Sequence, residues 1–121
     1  MKHFLVVDDS AVIRKVARRI LDGLSFRTSE AEDGEQALAL CRTDMPDAIL
    51  LDGAMPVVDG FEFLKRLRLL PNGRDPKVVF CTADCDVGTI ARAMHAGADT
   101  YMWKPFDKPM LQESLAEVGL A

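Results

Sequence analysis

Ala48-Ile49-Leu50-Leu51-Asp52-Gly53-Ala54-Met55-Pro56 is the stretch on which the fold turns. An unbroken apolar run ends on an acid, and a glycine and a proline then break the chain. Such a run, bounded by turn formers, suits a strand covered on both faces. Three other runs also end on a reactive polar residue. Phe4-Leu5-Val6-Val7 ends in Asp8-Asp9, Val78-Val79-Phe80-Cys81 in Thr82, and Tyr101-Met102-Trp103 in Lys104-Pro105. Helical patterns lie between the runs, which gives successive βα units and a parallel sheet. In an open parallel sheet, ligands bind in the crevice beyond the carboxyl ends of the strands. Three carboxylates, a hydroxyl and an ammonium are therefore expected to converge there.

Working outward, the first helix is predicted from about Ser10 to Asp22, with Ile13, Val16, Ala17, Ile20 and Leu21 as its buried stripe and Gly23 just past its end. Arg14, Lys15, Arg18 and Arg19 fall on its other side, as a solvated face or a docking face for an acidic partner. Phe26–Ala31 is a weaker strand, placed near the sheet edge because Arg27, Ser29 and Glu30 interrupt it. Asp33-Gly34 opens a second helix through about Arg42, with Ala37, Leu38 and Cys41 inward. A third spans about Gly60–Leu69, with Leu64 and Leu67 as its first core positions and Phe61 and Phe63 as secondary ones. A fourth covers about Asp86–Ala96, stopped by Gly97 and weakened by Gly88, since an interior glycine costs up to about 1 kcal/mol relative to alanine. The last covers about Lys108–Val118, with Met110, Leu111, Leu115 and Val118 as its stripe.

The 121 residues suit one domain, 1–121, with one core. The net charge of −4 gives no electrostatic footprint for direct nucleic-acid binding. Asp8-Asp9 cuts the first apolar run far short of a signal peptide, and no run approaches the roughly 20 apolar residues of a membrane span. A cytoplasmic protein without a membrane anchor is expected. The three cysteines, Cys41, Cys81 and Cys85, have neither a disulfide pattern nor zinc-ligand spacing. Cys41 and Cys81 read as small core residues, Cys85 as a loop residue.

Adjacent acids after a strand suit a hard cation such as Mg²⁺, which takes oxygen ligands and keeps several waters. The competing reading of Asp8-Asp9 is a cap on the following helix. Asp52 is the candidate nucleophile, because a carboxylate can hold a phosphoryl group as an acyl phosphate. Such a transfer needs charge neutralised on the equatorial oxygens, which a cation and Lys104 would supply, while Thr82 offers a hydroxyl donor. A cis bond at Lys104-Pro105 would aim Lys104 into the crevice.

With these residues in view, the chain resembles the receiver domains of two-component response regulators, of the single-domain CheY-like kind. The resemblance covers essentially the whole chain. It rests on the acid pair, on Asp52 followed by Met55-Pro56 and Asp59-Gly60, on Thr82-Ala83, on Gly97-Ala98 and on Lys104-Pro105-Phe106, in family order and spacing. It implies an α/β fold: a doubly wound, flavodoxin-like (βα)5 domain with a five-stranded parallel sheet in order 2-1-3-4-5. It also implies roles. Asp52 would be the phosphoacceptor. Asp9, Asp52 and the backbone carbonyl of Ala54 would ligate Mg²⁺, with Asp8 acting through a water. Thr82 and Lys104 would contact the phosphoryl group, and Tyr101 would change rotamer behind Thr82. The donor would be a sensor histidine kinase or a histidine phosphotransfer protein. A target would bind the surface of the fourth helix, fifth strand and fifth helix, and the domain is expected to be a monomer.

Two departures concern acyl-phosphate lifetime. Gly53 and Ala54 are small where many relatives carry bulkier groups, so they would shield little. Asp84 could orient or repel an attacking water. Trp103 adjoins Lys104 and is expected to be a buried or half-buried sheet aromatic. A direct transcription factor is disfavoured because no effector domain follows Val118 in this sequence, with excision from a longer protein at Ala121 left open; the expectation is a diffusible regulator, or else a relay intermediate or phosphate sink, that catalyses only its own phosphoryl transfer and loss. An aspartyl-phosphate phosphatase would need a second acid where Ala54 stands. A flavodoxin-like carrier would need a phosphate-cradling loop where Asp8-Asp9 stand.

Overall fold

Strand register brings the four strand ends level. The computed structural model describes residues 2–53, 55, 59–83 and 86–120. Five strands alternate with five helices: β1 (His3–Val7), α1 (Ala11–Gly23), β2 (Arg27–Ala31), α2 (Gly34–Thr43), β3 (Ala48–Asp52), α3 (Gly60–Leu69), β4 (Lys77–Thr82), α4 (Val87–Ala96), β5 (Thr100–Trp103) and α5 (Lys108–Glu117). The strands form one parallel sheet in the order β2-β1-β3-β4-β5, as the resemblance implied. Val7 lies beside Leu51, Asp52 beside Cys81, and Thr82 beside Trp103. The edge position predicted for the interrupted strand holds, because β2 pairs only with β1.

Alternate strand residues feed two cores. Leu5, Val7, Ile49, Leu51 and Phe80 pack with Ala37, Leu38 and Cys41 of α2 and Phe63, Leu64 and Leu67 of α3. Phe4, Val6, Leu50, Val79 and Met102 pack with Ala17 and Leu21 of α1 and Leu111 and Leu115 of α5. Each fully buried aliphatic or aromatic side chain contributes roughly 1.5–3 kcal/mol. Burial pushes the Cys41 thiol up to about 11 and the Cys81 thiol up to about 12, so both are the inert core residues expected of them. Cys85 lies outside the described residues.

Helix starts follow local chemistry. Ser10, Asp33, Asp59 and Asp107 each accept a backbone N–H of the first turn. Asp86, ahead of α4, makes no such side-chain cap bond. Gly97 ends α4 at φ 122°, in the left-handed region that glycine enters without strain.

Several expectations need correction. Val16 is 43% exposed, because the part of α1 that meets the sheet is narrower than the apolar stripe; Ala17 and Leu21 are its fully buried residues. Gly23 is the last residue of α1 rather than the one beyond it. In α5 the buried residues are Leu111, Ser114 and Leu115, while Met110 and Val118 are only partly covered. The basic side of α1 is not wholly solvated. Arg14 Nε donates to Glu30 Oε1 (2.9 Å) and Arg18 Nη1 to Glu30 Oε2 (2.5 Å), tying α1 to the edge strand. Hydrogen bonds from Arg18 and then Arg14 hold the Glu30 carboxyl below its ordinary range. Lys15 and Arg19 remain exposed.

Candidate functional site

Asp8 follows β1 and is almost wholly buried, at 3% exposure. Its Oδ1 accepts from the Ser10 backbone N–H (2.9 Å), and its Oδ2 accepts from Lys104 Nζ (2.7 Å). Arg14 Nη1 donates to the Asp8 carbonyl (2.7 Å), which fixes the backbone at this strand end. Asp52 ends β3 at 5% exposure and pairs with the same ammonium, Lys104 Nζ to Oδ1 at 3.2 Å. Asp9 is exposed. Carboxylate oxygens of Asp8, Asp9 and Asp52 lie within 4.8 Å of one another.

The helix-cap reading of Asp8-Asp9 gives way. Ser10 supplies the cap, through Oγ accepting from Ile13 N, and the two acids are left facing the crevice. Hard oxygen donors at this spacing fit Mg²⁺. Asp8 has both oxygens already engaged and suits contact through water. Asp9 and Asp52 suit direct ligation. The proposed third ligand, the Ala54 carbonyl, lies outside the described residues, as does Asp84.

Lys104 lies just beyond the end of β5, its backbone N–H donating to the Thr82 carbonyl (2.9 Å). The Lys104-Pro105 bond is cis, as anticipated. Burial works against the Lys104 ammonium, but the Asp8 hydrogen bond and the Asp52 and Asp8 charges outweigh it and hold its pKa above the usual lysine value. The site thus keeps a fixed cation between two buried anions. Thr82 ends β4, buried at 7% exposure. Tyr101 is 42% exposed, and its ring meets the half-buried Trp103 edge to face, with centroids 5.4 Å apart. Tyr101 therefore points outward from the sheet in the unmodified protein.

Gly53 is small for a reason other than leaving the site open. A Cβ there would lie 2.5 Å from the Phe80 ring. A Cβ on Gly60 would lie 2.8 Å from the Asp52 carbonyl oxygen and 2.9 Å from Gly53 Cα. Two glycines thus make a notch for Phe80 directly behind the Asp52 strand end. Sequence reasoning placed Phe80 only in a strand and Arg14 only on a basic helix face, and passed over Arg68. Arg68 bonds the carbonyls of Gly73, Pro76 and Gly97 and the Asp99 carboxylate, joining α3 to the α4–β5 turn. No local pattern marks such a residue.

The family described as response regulator receiver domain matches residues 4–116. Response regulator MprA of Mycolicibacterium vanbaalenii is 40% identical over 116 residues, 96% of this chain and 48% of that protein. Chemotaxis protein CheY of Halobacterium salinarum is 32% identical over 117 residues, 97% of this chain and 96% of that one. The chain therefore spans about half of MprA and nearly all of CheY. Among solved structures, chemotaxis protein CheY4 of Vibrio cholerae superposes with a TM-score of 0.93 at 30% identity over 98% of both chains. The receiver domain of sensor histidine kinase PA1611 from Pseudomonas aeruginosa, with a magnesium ion coordinated in its active-site cleft, gives a TM-score of 0.86 at 32% identity, over 94% of this chain and 93% of that one.

Proposed function

The chain belongs to the response regulator receiver domains, and we propose that it is a phosphorylation-dependent switch whose phosphoacceptor is Asp52. The observation that carries this reading is the one ammonium, Lys104 Nζ, held against both Asp8 and Asp52 inside a three-carboxylate cluster. A carboxylate oxygen of Asp52 attacks the phosphorus of a phosphohistidine. The P–N bond breaks, and the imidazole nitrogen leaves with the electron pair and takes up a proton. Asp9 and Asp52 would hold Mg²⁺, with Asp8 reaching it through water and the Ala54 carbonyl, outside the described residues, as the further ligand that the resemblance implies; a cation there would supply neutralisation of charge on the equatorial oxygens. Lys104 turns from Asp52 to a phosphoryl oxygen without leaving Asp8. Thr82 donates its hydroxyl to another.

Phosphorylation takes Asp52 from one negative charge to nearly two and adds strong acceptors. Drawing Thr82 inward opens space behind it, which Tyr101 fills by changing rotamer. The altered α4-β5-α5 surface is then read by a target protein. The donor is a sensor histidine kinase or a phosphotransfer protein, and the chain catalyses only its own phosphorylation and dephosphorylation.

The test is intact mass after incubation with acetyl phosphate, with and without Mg²⁺, beside Asp52→Ala. The expected result is a Mg²⁺-dependent gain of one phosphoryl group that Asp52→Ala lacks. A gain that survives in Asp52→Ala would move the acceptor elsewhere.

A further inference from the structure

Arg14 reaches from α1 to two other segments at once. Its Nη1 donates to the Asp8 carbonyl (2.7 Å), and its Nε donates to Glu30 Oε1 on the edge strand β2 (2.9 Å). The Arg14 side chain is largely covered, and that of Glu30 is more open. A guanidinium holds its N–H groups in one rigid plane, so the partner of one bond sets the direction of the other. Glu30 therefore aims Arg14, and Arg14 holds the peptide unit between Asp8 and Asp9.

That unit matters most for Asp9. The Asp8 carboxylate is steadied by other groups, the Ser10 backbone N–H and Lys104 Nζ, and the Asp8 backbone N–H donates to the Ala31 carbonyl of β2 (3.1 Å). Asp9 is exposed, and its carboxylate joins the acidic cluster only as its backbone directs it. The Asp8 carbonyl and the Asp9 N–H belong to one planar peptide unit. Rotating that unit turns Asp9 away from Asp52 and leaves the Asp8–Lys104 pair in place.

We propose that Arg14 is a positioning residue for the cation site, and that Glu30 is the group that aims it. Neither is a ligand; both act through the peptide that carries Asp9. The proposal rests on the receiver reading above, in which Asp9 and Asp52 hold Mg²⁺. Groups that orient metal ligands without touching the metal set much of its affinity. Charge alone predicts the opposite sign. Removing a guanidinium beside an acidic cluster relieves repulsion toward a second cation, so a purely electrostatic Arg14 would oppose Mg²⁺.

The test titrates Mg²⁺ alone into the unphosphorylated protein, following Trp103 fluorescence, and compares the Asp9 amide nitrogen signal by NMR before the metal is added. Arg14→Met, Arg14→Lys and Glu30→Ala are each expected to weaken Mg²⁺ binding by about 10-fold, the low end for groups that orient metal ligands, and to shift the Asp9 signal. Arg14→Lys keeps the charge and loses the rigid plane, so it also carries the test if Arg14→Met does not fold. Glu30→Gln keeps an acceptor for Arg14 Nε and retains most of the affinity. The Arg14→Lys/Glu30→Ala double variant binds no more weakly than Arg14→Lys, since both act along one route. Arg18→Met is the control: Arg18 pairs with the other Glu30 oxygen and with Thr28 Oγ1, and its loss leaves Mg²⁺ affinity undiminished. Wild type that binds Mg²⁺ while Arg14→Met binds it equally or more tightly overturns the positioning role alone. A loss in Arg18→Met as large as that in Glu30→Ala overturns it too, by assigning the effect to the edge strand in general. Wild type that neither binds Mg²⁺ nor gains phosphoryl mass overturns the receiver reading itself.

Discussion

The two ends of the sheet hold buried charge in opposite ways. At the carboxyl end, Asp8 and Asp52 close on one lysine and face a crevice. At the amino end, His3 is 6% exposed and ringed by more exposed polar groups: its backbone N–H donates to Asp47 Oδ2 (2.8 Å), its Nε2 meets Ser29 Oγ (2.6 Å), and its Nδ1 stands 3.6 Å from Asp44 Oδ2, which also pairs with Arg27. Nδ1 has no hydrogen-bond partner. The carboxyl end raises the pKa of its cation. The amino end lowers that of its histidine, by burial first and then by the Arg27 charge, against the pull of Asp44 and Asp47. One end holds charge against an open crevice, and the other clasps strands and avoids charge. Strand polarity explains the difference, since in this fold the loops that face a ligand leave the carboxyl ends.

The largest effect is expected from Lys104→Met. It leaves two nearly buried carboxylates without their counter-ion, and the loss is about 2–3 kcal/mol, below the full cost for a buried pair because Lys104 is partly exposed. Urea melts would show it, and added Mg²⁺ should recover part of it in Lys104→Met by binding the native state. A variant as stable as wild type in metal-free buffer would mean that the crevice tolerates its own repulsion.

Next in size is Gly60→Ala. Its methyl group would press on the Asp52 carbonyl and Gly53 Cα, and such overpacking costs about 1–3 kcal/mol. Phosphorylation by acetyl phosphate should slow alongside the loss of stability. Normal phosphorylation in a destabilised variant would separate the notch from the placement of Asp52.

The smallest effect concerns pH. A histidine whose folded pKa is lowered contributes stability that is present above its ordinary value near 6.5 and is lost as pH falls through the folded value. Lys104 behaves oppositely: its folded pKa is raised, so its contribution is complete below the ordinary lysine value near 10.4 and is lost only as pH rises past it. Between pH 8 and 5 the crevice lysine is silent and the amino end responds. Melting temperature should fall by a few degrees over that interval, and His3→Gln should flatten the profile. An identical slope in His3→Gln would assign the acid response to other groups.

Much of the site was legible because its residues sit at positions that local pattern fixes. Each apolar run ends where a strand ends, so Asp8, Asp9, Asp52, Thr82 and Lys104 were marked without any knowledge of neighbours. The helix starts at Asp33, Asp59 and Asp107 were legible for the same reason, since a cap bonds within its own first turn. Strand order came from family resemblance rather than from the pattern, and the register that levels the strand ends came from the tertiary structure. The sequence by itself determined which residues end the strands and where most helices start, because that depends on spacing along one segment. Only the tertiary structure decided that Val16 faces outward, that Arg14 and Arg18 grip Glu30, that Ser114 is buried, and that Phe80 fills the notch at Gly53 and Gly60. Each of these depends on what another segment places opposite, at a distance along the chain that no periodicity records.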